Sequence, residues 1–326
     1  QALPVEWDPG PGAQWKSSEQ VYAAALALHR EDGGRVLRKS GDVSAVQGAN
    51  TVEATYGTPY CENAALEPLN GTALVSDDGV QVWCPTQDML QALWVAADEV
   101  GVTPDKVNLH QTYVGGAFGR RTAADDVRMA VAVARAYPGV PVKTIWSREE
   151  CFQQGRYRTP IFTRFKAELG TDGYPLAVES KVAFVGTVPM YQMTRGYDDM
   201  PYFTSGVIPN VLFSSAQLPV HVLNGAFRAP CYNSHVFFVD TFIDECAVTA
   251  GIDPLEYRLK LLSNWDKPWS DCLRVAAEKI GWGRPLPKGE GIGIAIANWP
   301  LAMMHDAGTT ICAAAHVRVS PQGELE

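Results

Sequence analysis

The stretch Val107-Asn108-Leu109-His110-Gln111-Thr112-Tyr113-Val114-Gly115-Gly116-Ala117-Phe118-Gly119-Arg120-Arg121 contains the chain's most informative change of period. Val107, Leu109, Gln111 and Tyr113 alternate as in a strand, and a helix is predicted from Ala123 to Tyr137, with three glycines between them. Glycines after a strand and before a helix let backbone N–H groups approach an anion or polar ligand closely. Read alone, a Gly-rich turn of this kind is more often a plain chain reversal. It is not a Walker loop, because no Lys-Ser/Thr follows, and its glycine spacing is not that of the dinucleotide fingerprint. The Gly-Ala-Phe triplet recurs in Gly225-Ala226-Phe227-Arg228-Ala229-Pro230, behind a strand predicted near His221. There the fork of donors on Arg228 suits a polar or anionic group, or else an ordinary surface position.

Upstream, Leu74 to Trp83 reads as a hairpin turning at Ser76-Asp77-Asp78-Gly79. Thr86 is predicted to cap a helix carrying Met89, Leu90, Leu93, Trp94 and Ala97, which Gly101 ends. Ser17-Ser18-Glu19-Gln20 opens a helix to about His29, and Ala2 to Asp8 reads as extended. Downstream come a strand in Val140 to Trp146 and a hairpin, Phe162–Leu169 with Leu176–Val185. Residues 186–220, rich in Pro, Gly, Tyr and Met, read as a long loop. Its Met190, Tyr191, Met193, Tyr197, Tyr202 and Phe203 suit either an aromatic-lined funnel or core packing. Helices are predicted from Ser234 to Ala250, from Asp253-Pro254, and from Ser270 to Ile280. Gly289-Glu290-Gly291-Ile292-Gly293 leads into a strand, and Ala313 to Val319 forms another that turns at Pro321-Gln322-Gly323.

Hairpins interleaved with helices predict an α+β fold of at least two mixed lobes, not a doubly wound parallel sheet. The expected division is 1–70, a partial N-terminal lobe; 71–185, a lobe with the Gly115–Gly119 loop; 186–288, a helical, loop-rich lobe with the Gly225–Pro230 loop; and 289–326, the start of a further β lobe. Neither end reads as a natural boundary, so a fragment of a longer chain is expected.

Composition narrows the functions. A net charge of −9 with no Lys/Arg block argues against a nucleic-acid surface. No stretch reaches the ~20 apolar residues of a membrane span. Cys61, Cys84, Cys151, Cys231, Cys246, Cys272 and Cys312 are scattered without a C-x-x-C, which predicts free, mostly buried thiols and no cluster or zinc loop. The dispersed histidines form no metal motif, so no protein-ligated metal is expected. Glu62-Asn63-Ala64-Ala65-Leu66-Glu67-Pro68 offers two carboxylates, of which Glu67 reads as a structural hydrogen-bond partner. Asp240, Asp244 and Glu245 fall on a predicted helix, and Trp146 to Glu150 with Arg156-Tyr157-Arg158 supply either ion pairs or a site.

The order of these motifs, closing with Phe242-Ile243-Asp244-Glu245 and Gly251-Ile252-Asp253-Pro254-Leu255-Glu256-Tyr257-Arg258, resembles the xanthine oxidase family of molybdenum hydroxylases. Within it the chain is most similar to the large subunits of bacterial isoquinoline 1-oxidoreductases and related aldehyde dehydrogenases. The resemblance implies a molybdenum-hydroxylase large-subunit-like fold and a molybdenum–molybdopterin cofactor in its cytosine dinucleotide form. It implies a cofactor-contacting loop at Gly115, Gly116, Ala117, Phe118 and Gly119, with Ala226 and Phe227 lining the site. Arg228 would orient substrate or steady developing negative charge. The implied reaction hydroxylates an N-heterocycle or an aldehyde with oxygen from water, and electrons leave through a small subunit holding two [2Fe-2S] clusters. Two departures stand out: the family usually has His where Asn63 stands, and its catalytic glutamate belongs to a Gly-x-Gly-Glu-type motif near the C-terminus. Glu290 has similar neighbours but precedes a strand and reads as structural. The expectation is a segment inactive without the rest of its polypeptide; the alternative is a non-catalytic assembly module of the same fold.

Overall fold

A computed structural model of the chain describes residues 4, 6, 8, 10–186, 194, 196–299 and 309–325. Most of the predicted extended segment Ala2 to Asp8, together with Met190, Tyr191 and Met193, lies outside the described residues. In chain order the elements are α1 (Ser18–Ala27), β1 (Arg35–Ser40), β2 (Asn50–Thr58), β3 (Asn70–Ser76), β4 (Gly79–Cys84), α2 (Met89–Val100) and β5 (Val107–Gln111). Then follow α3 (Asp125–Arg135), β6 (Val142–Ile145), α4 (Arg148–Gln153), β7 (Ile161–Leu169), β8 (Pro175–Val185), α5 (Pro201–Thr204) and β9 (Asn210–Leu218). The last are α6 (Tyr232–Ala250), α7 (Pro254–Leu261), α8 (Lys267–Ile280), β10 (Glu290–Trp299) and β11 (Thr309–Arg318).

The larger sheet runs β1-β9-β8-β7-β2 and is antiparallel except where β8 and β9 pair in parallel. Strands from both sides of residues 70 and 185 therefore pair in it. Aromatic side chains of β7, β9 and α6 fill the space beneath, with Phe165 and Phe242 stacked at 4.9 Å between ring centres. Fully burying one such ring is worth about 1.5–3 kcal/mol. The smaller sheet runs β5-β4-β3-β6, with β4 and β5 parallel. Two helices of small residues cover it: Val127, Ala130, Val131 and Ala134 of α3, and Ala92, Val95 and Ala96 of α2, are buried. Gly71 on β3 lets α3 lie close, since a methyl there would stand 3.3 Å from both the Asp126 carbonyl and the Ala130 methyl. Each of these two sheets has one parallel pair among antiparallel ones, and β10 and β11 form a separate antiparallel ribbon, so the fold is α+β and not doubly wound.

Several local expectations need correction. Asp88, not Thr86, is the N-cap of α2, accepting from Gln91 N at 2.9 Å, while Thr86 holds the turn before it. Leu90 and Trp94 of the apolar stripe on α2 face outward, while Ala92, Val95, Ala96 and Ala97 are buried and Leu93 packs partly buried beside them. Residues 186–220 are not one long loop: they contain α5 and β9, and β9 takes the place of the strand predicted near His221. Tyr197, Tyr202 and Phe203 are buried core residues and line no funnel. The α8 helix starts at Lys267, three residues before Ser270, with Asp266 at its N-cap position and Pro268 in its first turn. Tyr113 lies beyond the end of β5 and is fully exposed. Among the described residues all seven cysteines are free thiols; Cys84, Cys151, Cys231 and Cys246 are buried, and the others are half-buried.

A buried polar network joins α6, α7 and β10. Asp240 accepts from Arg258 Nε (3.0 Å), Tyr202 Oη (3.1 Å) and Ile296 N (3.2 Å), and Arg258 also pairs with Asp244. Glu290, at the start of β10, pairs with His316 and Arg318 across the ribbon, which gives it the structural role expected.

Candidate cofactor-binding site

The two Gly-Ala-Phe segments, far apart in sequence, meet in space. Asn63, on the loop between β2 and β3, donates from Nδ2 to the Phe118 carbonyl (2.7 Å) and to the Ala226 carbonyl (3.1 Å). Gly119 adopts φ +99°, and a methyl there would lie 2.5 Å from the Ala226 carbonyl oxygen, so only glycine permits this approach. Among the described residues, every non-glycine residue with positive φ flanks these loops: Ala64, Phe118, Ala124, Ala229 and Cys231. Left-handed backbone at such residues costs about 1–3 kcal/mol each and persists only where surrounding contacts impose it.

Those contacts can be named for the 115–121 loop. The Glu67 carboxylate accepts from Gly115 N (2.8 Å), and Glu67 N donates back to the Gly115 carbonyl (3.0 Å). The Gln87 side chain accepts from Gly119 N (3.0 Å) and Arg121 N (3.3 Å). Arg121, fully buried, reaches Asp126 (2.9 Å), the Glu67 carboxylate (3.2 Å) and the Glu67 and Pro68 carbonyls (3.0 Å each). Burial pushes the Asp126 carboxyl up, and Arg121 beside it opposes the shift. Glu67 is thus a structural partner, as its sequence setting suggested.

This scaffold narrows the donor set. Gly115 and Gly119 direct their N–H groups into the protein, whereas those of Gly116, Ala117 and Phe118 have no partner among the described residues. The Phe118 side chain is 42% exposed beside them. On the other loop, Gly225 N is held by the Tyr157 carbonyl (3.1 Å), and the Arg158 guanidinium lies 5.4 Å from the Phe227 ring centre. Arg228 is exposed, and its guanidinium has no protein partner among the described residues.

Around this junction lie buried polar atoms without partners among the described residues: Asn63 Oδ1, Trp146 Nε1, Arg158 Nε, the Asn224 amide, and Nε and Nη2 of Arg120. Arg120 Nη1 lies 2.9 Å from Asp125, in ionic contact without hydrogen-bond alignment, and its guanidinium carbon is 5.9 Å from the Trp146 ring centre. Orphaned groups of this kind call for a ligand, water or further protein. A polar, multiply hydrogen-bonding organic group fits this set of donors and acceptors. Among the described residues, no cluster of three or more His, Cys, Asp or Glu could hold a bare metal ion. Arg120 and Arg158 lie in stretches the sequence had marked, whereas Gln87 carried no signal that set it at this junction, because it arrives from the turn before α2.

Gly119→Ala and Gly116→Ala separate strain from contact. Both residues have positive φ, but a methyl at Gly116 finds its nearest neighbour at an ordinary 3.4 Å. Gly119→Ala should destabilise the chain by about 1–3 kcal/mol, and more than Gly116→Ala, in urea denaturation. Equal losses would mean that the loops do not abut at Ala226.

The chain belongs to the molybdopterin cofactor-binding domain family, whose sequence model matches residues 28–262. Its relatives include the isoquinoline 1-oxidoreductase subunit beta of Brevundimonas diminuta, 27% identical over 94% of this chain and 41% of that protein. A second is the membrane-bound aldehyde dehydrogenase (pyrroloquinoline-quinone) of Gluconacetobacter polyoxogenes, 26% identical over 90% of this chain and 42% of that protein. The quinoline 2-oxidoreductase structure from Pseudomonas putida 86 shares the fold, with a TM-score of 0.66 and 17% identity over 85% of this chain and 40% of that one. The chain thus spans about two fifths of the length of these relatives. Among the described residues, no helix is long and apolar enough to cross a membrane.

Proposed function

We propose that the chain forms one wall of the cofactor site of a molybdenum hydroxylase that oxidises N-heterocycles or aldehydes with oxygen from water. The observation that carries this reading is the junction itself: two Gly-Ala-Phe loops held together, with the N–H groups of Gly116, Ala117 and Phe118 and the Arg228 guanidinium without a partner among the described residues. Gly116, Ala117 and Phe118 donate to the cofactor, Gly115 and Gly119 shape the loop, and Ala226 and Phe227 line the site. The cofactor is molybdenum–molybdopterin in its cytosine dinucleotide form, and when bound it supplies a two-electron redox centre. Arg228 orients the substrate and steadies negative charge that develops on it. The catalytic glutamate lies outside this chain, which is inactive without the rest of its polypeptide, and [2Fe-2S] clusters in a partner subunit carry the electrons away.

The family membership and the names of the relatives support the substrate class. Elemental analysis and pterin fluorescence of the full-length protein, purified from a cofactor-competent host, test the cofactor. About one molybdenum and one pterin per chain are expected. A preparation that carries pyrroloquinoline quinone and no molybdenum would overturn the assignment. Arg228→Gln is expected to lower kcat/KM by about 10²–10³, the range for removing one electrostatic stabiliser, with molybdenum content unchanged. Steady-state kinetics on both substrate classes reads this, and unchanged kinetics would remove Arg228 from the site.

A further inference from the structure

Asn63 is 7% exposed and does more than fill the space between the loops. Its two acceptors, the carbonyls of Phe118 and Ala226, can be met only by a donor, so the NH₂ end of the amide must face them. Oδ1 then points the other way, where it is buried and accepts nothing from the described residues. Each loop is anchored to a different support. The 115–121 loop hangs on Glu67, Gln87 and Arg121, and the 225–228 loop hangs on Tyr157. The spacing between the supports does not by itself set the spacing between the loops; Asn63 bonds to both at once.

We infer that Asn63 is a positioning residue: its amide N–H groups set the distance between the two loops, and its Oδ1 accepts an N–H or O–H from the group bound between them. The first half concerns only bonds within the chain; the second rests on the cofactor reading above. Residue chemistry separates Asn from its near neighbours. Aspartate has the same shape but no donor when ionised, and it sets a carboxylate against two carbonyls. Histidine donates through one ring nitrogen at a time when neutral, so it holds one carbonyl and leaves the other.

Hydrogen exchange on the full chain, followed by mass spectrometry, reads the first half. In Asn63→Asp the amides of Gly119, Arg120 and Gly225 should exchange at least tenfold faster together, with β7 and β8 unchanged. In Asn63→His, which leaves one carbonyl free, one of the two loops should loosen and the other hold. If Asn63→Asp does not fold, Asn63→Ser, with a single short donor, should show the same joint loosening. Unchanged exchange at both loops in a folded variant would overturn the positioning role. Pterin retention on dialysis of the holo protein reads the second half: Asn63→Asp loses the donor but keeps an accepting oxygen, whereas Asn63→Ala loses both, so pterin should leave Asn63→Ala at least tenfold faster than Asn63→Asp. Equal retention in the two variants would remove the acceptor role. A wild-type protein without pterin would sink the functional reading and leave the loop result standing.

Discussion

Arg121→Ala should destabilise the chain by about 3–5 kcal/mol, the range for breaking a buried ion pair from one side. The guanidinium is fully buried and answers Asp126, the Glu67 carboxylate and the backbone carbonyls of Glu67, Pro68 and Gly116 at once. Removing it leaves the Asp126 carboxylate inside the protein without its counter-charge, and leaves the Glu67 and Pro68 carbonyls without this donor. Glu67 then holds Gly115 N with only the Asn70 amide (2.9 Å) behind it, so the 115–121 loop should loosen as the fold weakens. Arg121→Lys keeps the charge but not the planar fork, and should recover only part of the loss. Urea denaturation followed by circular dichroism measures both. A loss below about 1 kcal/mol for Arg121→Ala, within the range of an exposed ion pair, would show that this arginine is not the support of the loop.

The second large effect is expected at Arg258→Met, and it should depend on pH. Burial pushes the Asp240 carboxyl up to about 6 even with Arg258 beside it. Without the arginine that value rises further, because desolvation is left unopposed. A carboxyl whose folded pKa lies above its unfolded value, about 3.9, contributes stability that is present below the unfolded pKa and lost as pH rises through the folded one. The variant should therefore lose about 3–5 kcal/mol at pH 8 and distinctly less at pH 5, where Asp240 is largely protonated. Adding Asp240→Asn should restore part of the loss at pH 8, since the buried charge is then gone. Equal losses at pH 5 and pH 8 would show that Asp240 is not the stranded charge. Asp240 also accepts from Ile296 N, so the variant should loosen the attachment of β10 to α6 before it affects the smaller sheet.

Much of the architecture could be read from short patterns. Gly101 and Gly251 end their helices in the left-handed conformation, Asp253 caps α7, and Asp172-Gly173 turns the β7–β8 hairpin. Such signals are local: a cap or a turn involves residues two to four apart and carries its own physical cause. The errors occurred where long-range packing outweighed local pattern. The apolar stripe of α2 was visible, but packing against the smaller sheet and α3 decided that Ala92, Val95 and Ala96 would be buried and that Leu90 and Trp94 would not. The strand β9 was hidden because its alternation is blurred in residue type: the inward set Val211, Phe213 and Ser215 includes a serine, while Leu212 on the other face is apolar.

The candidate site divides in the same way. Residue type and order along the chain were enough for the α+β class, the two Gly-Ala-Phe loops, the structural role of Glu67 and the resemblance to molybdenum hydroxylases, since glycine content and motif order are properties of the string itself. Which glycines donate outward could not be read there. Gly115 and Gly119 turn their N–H groups to Glu67 and Gln87, residues more than thirty positions away, while those of Gly116, Ala117 and Phe118 have no partner among the described residues and are the proposed donors. The role of Asn63 was equally invisible, since it depends on two carbonyls 55 and 163 positions away that become neighbours only when the smaller sheet and the start of α6 have packed. Hydrogen bonds act over about 3 Å, and only the folded chain brings such distant groups within that range.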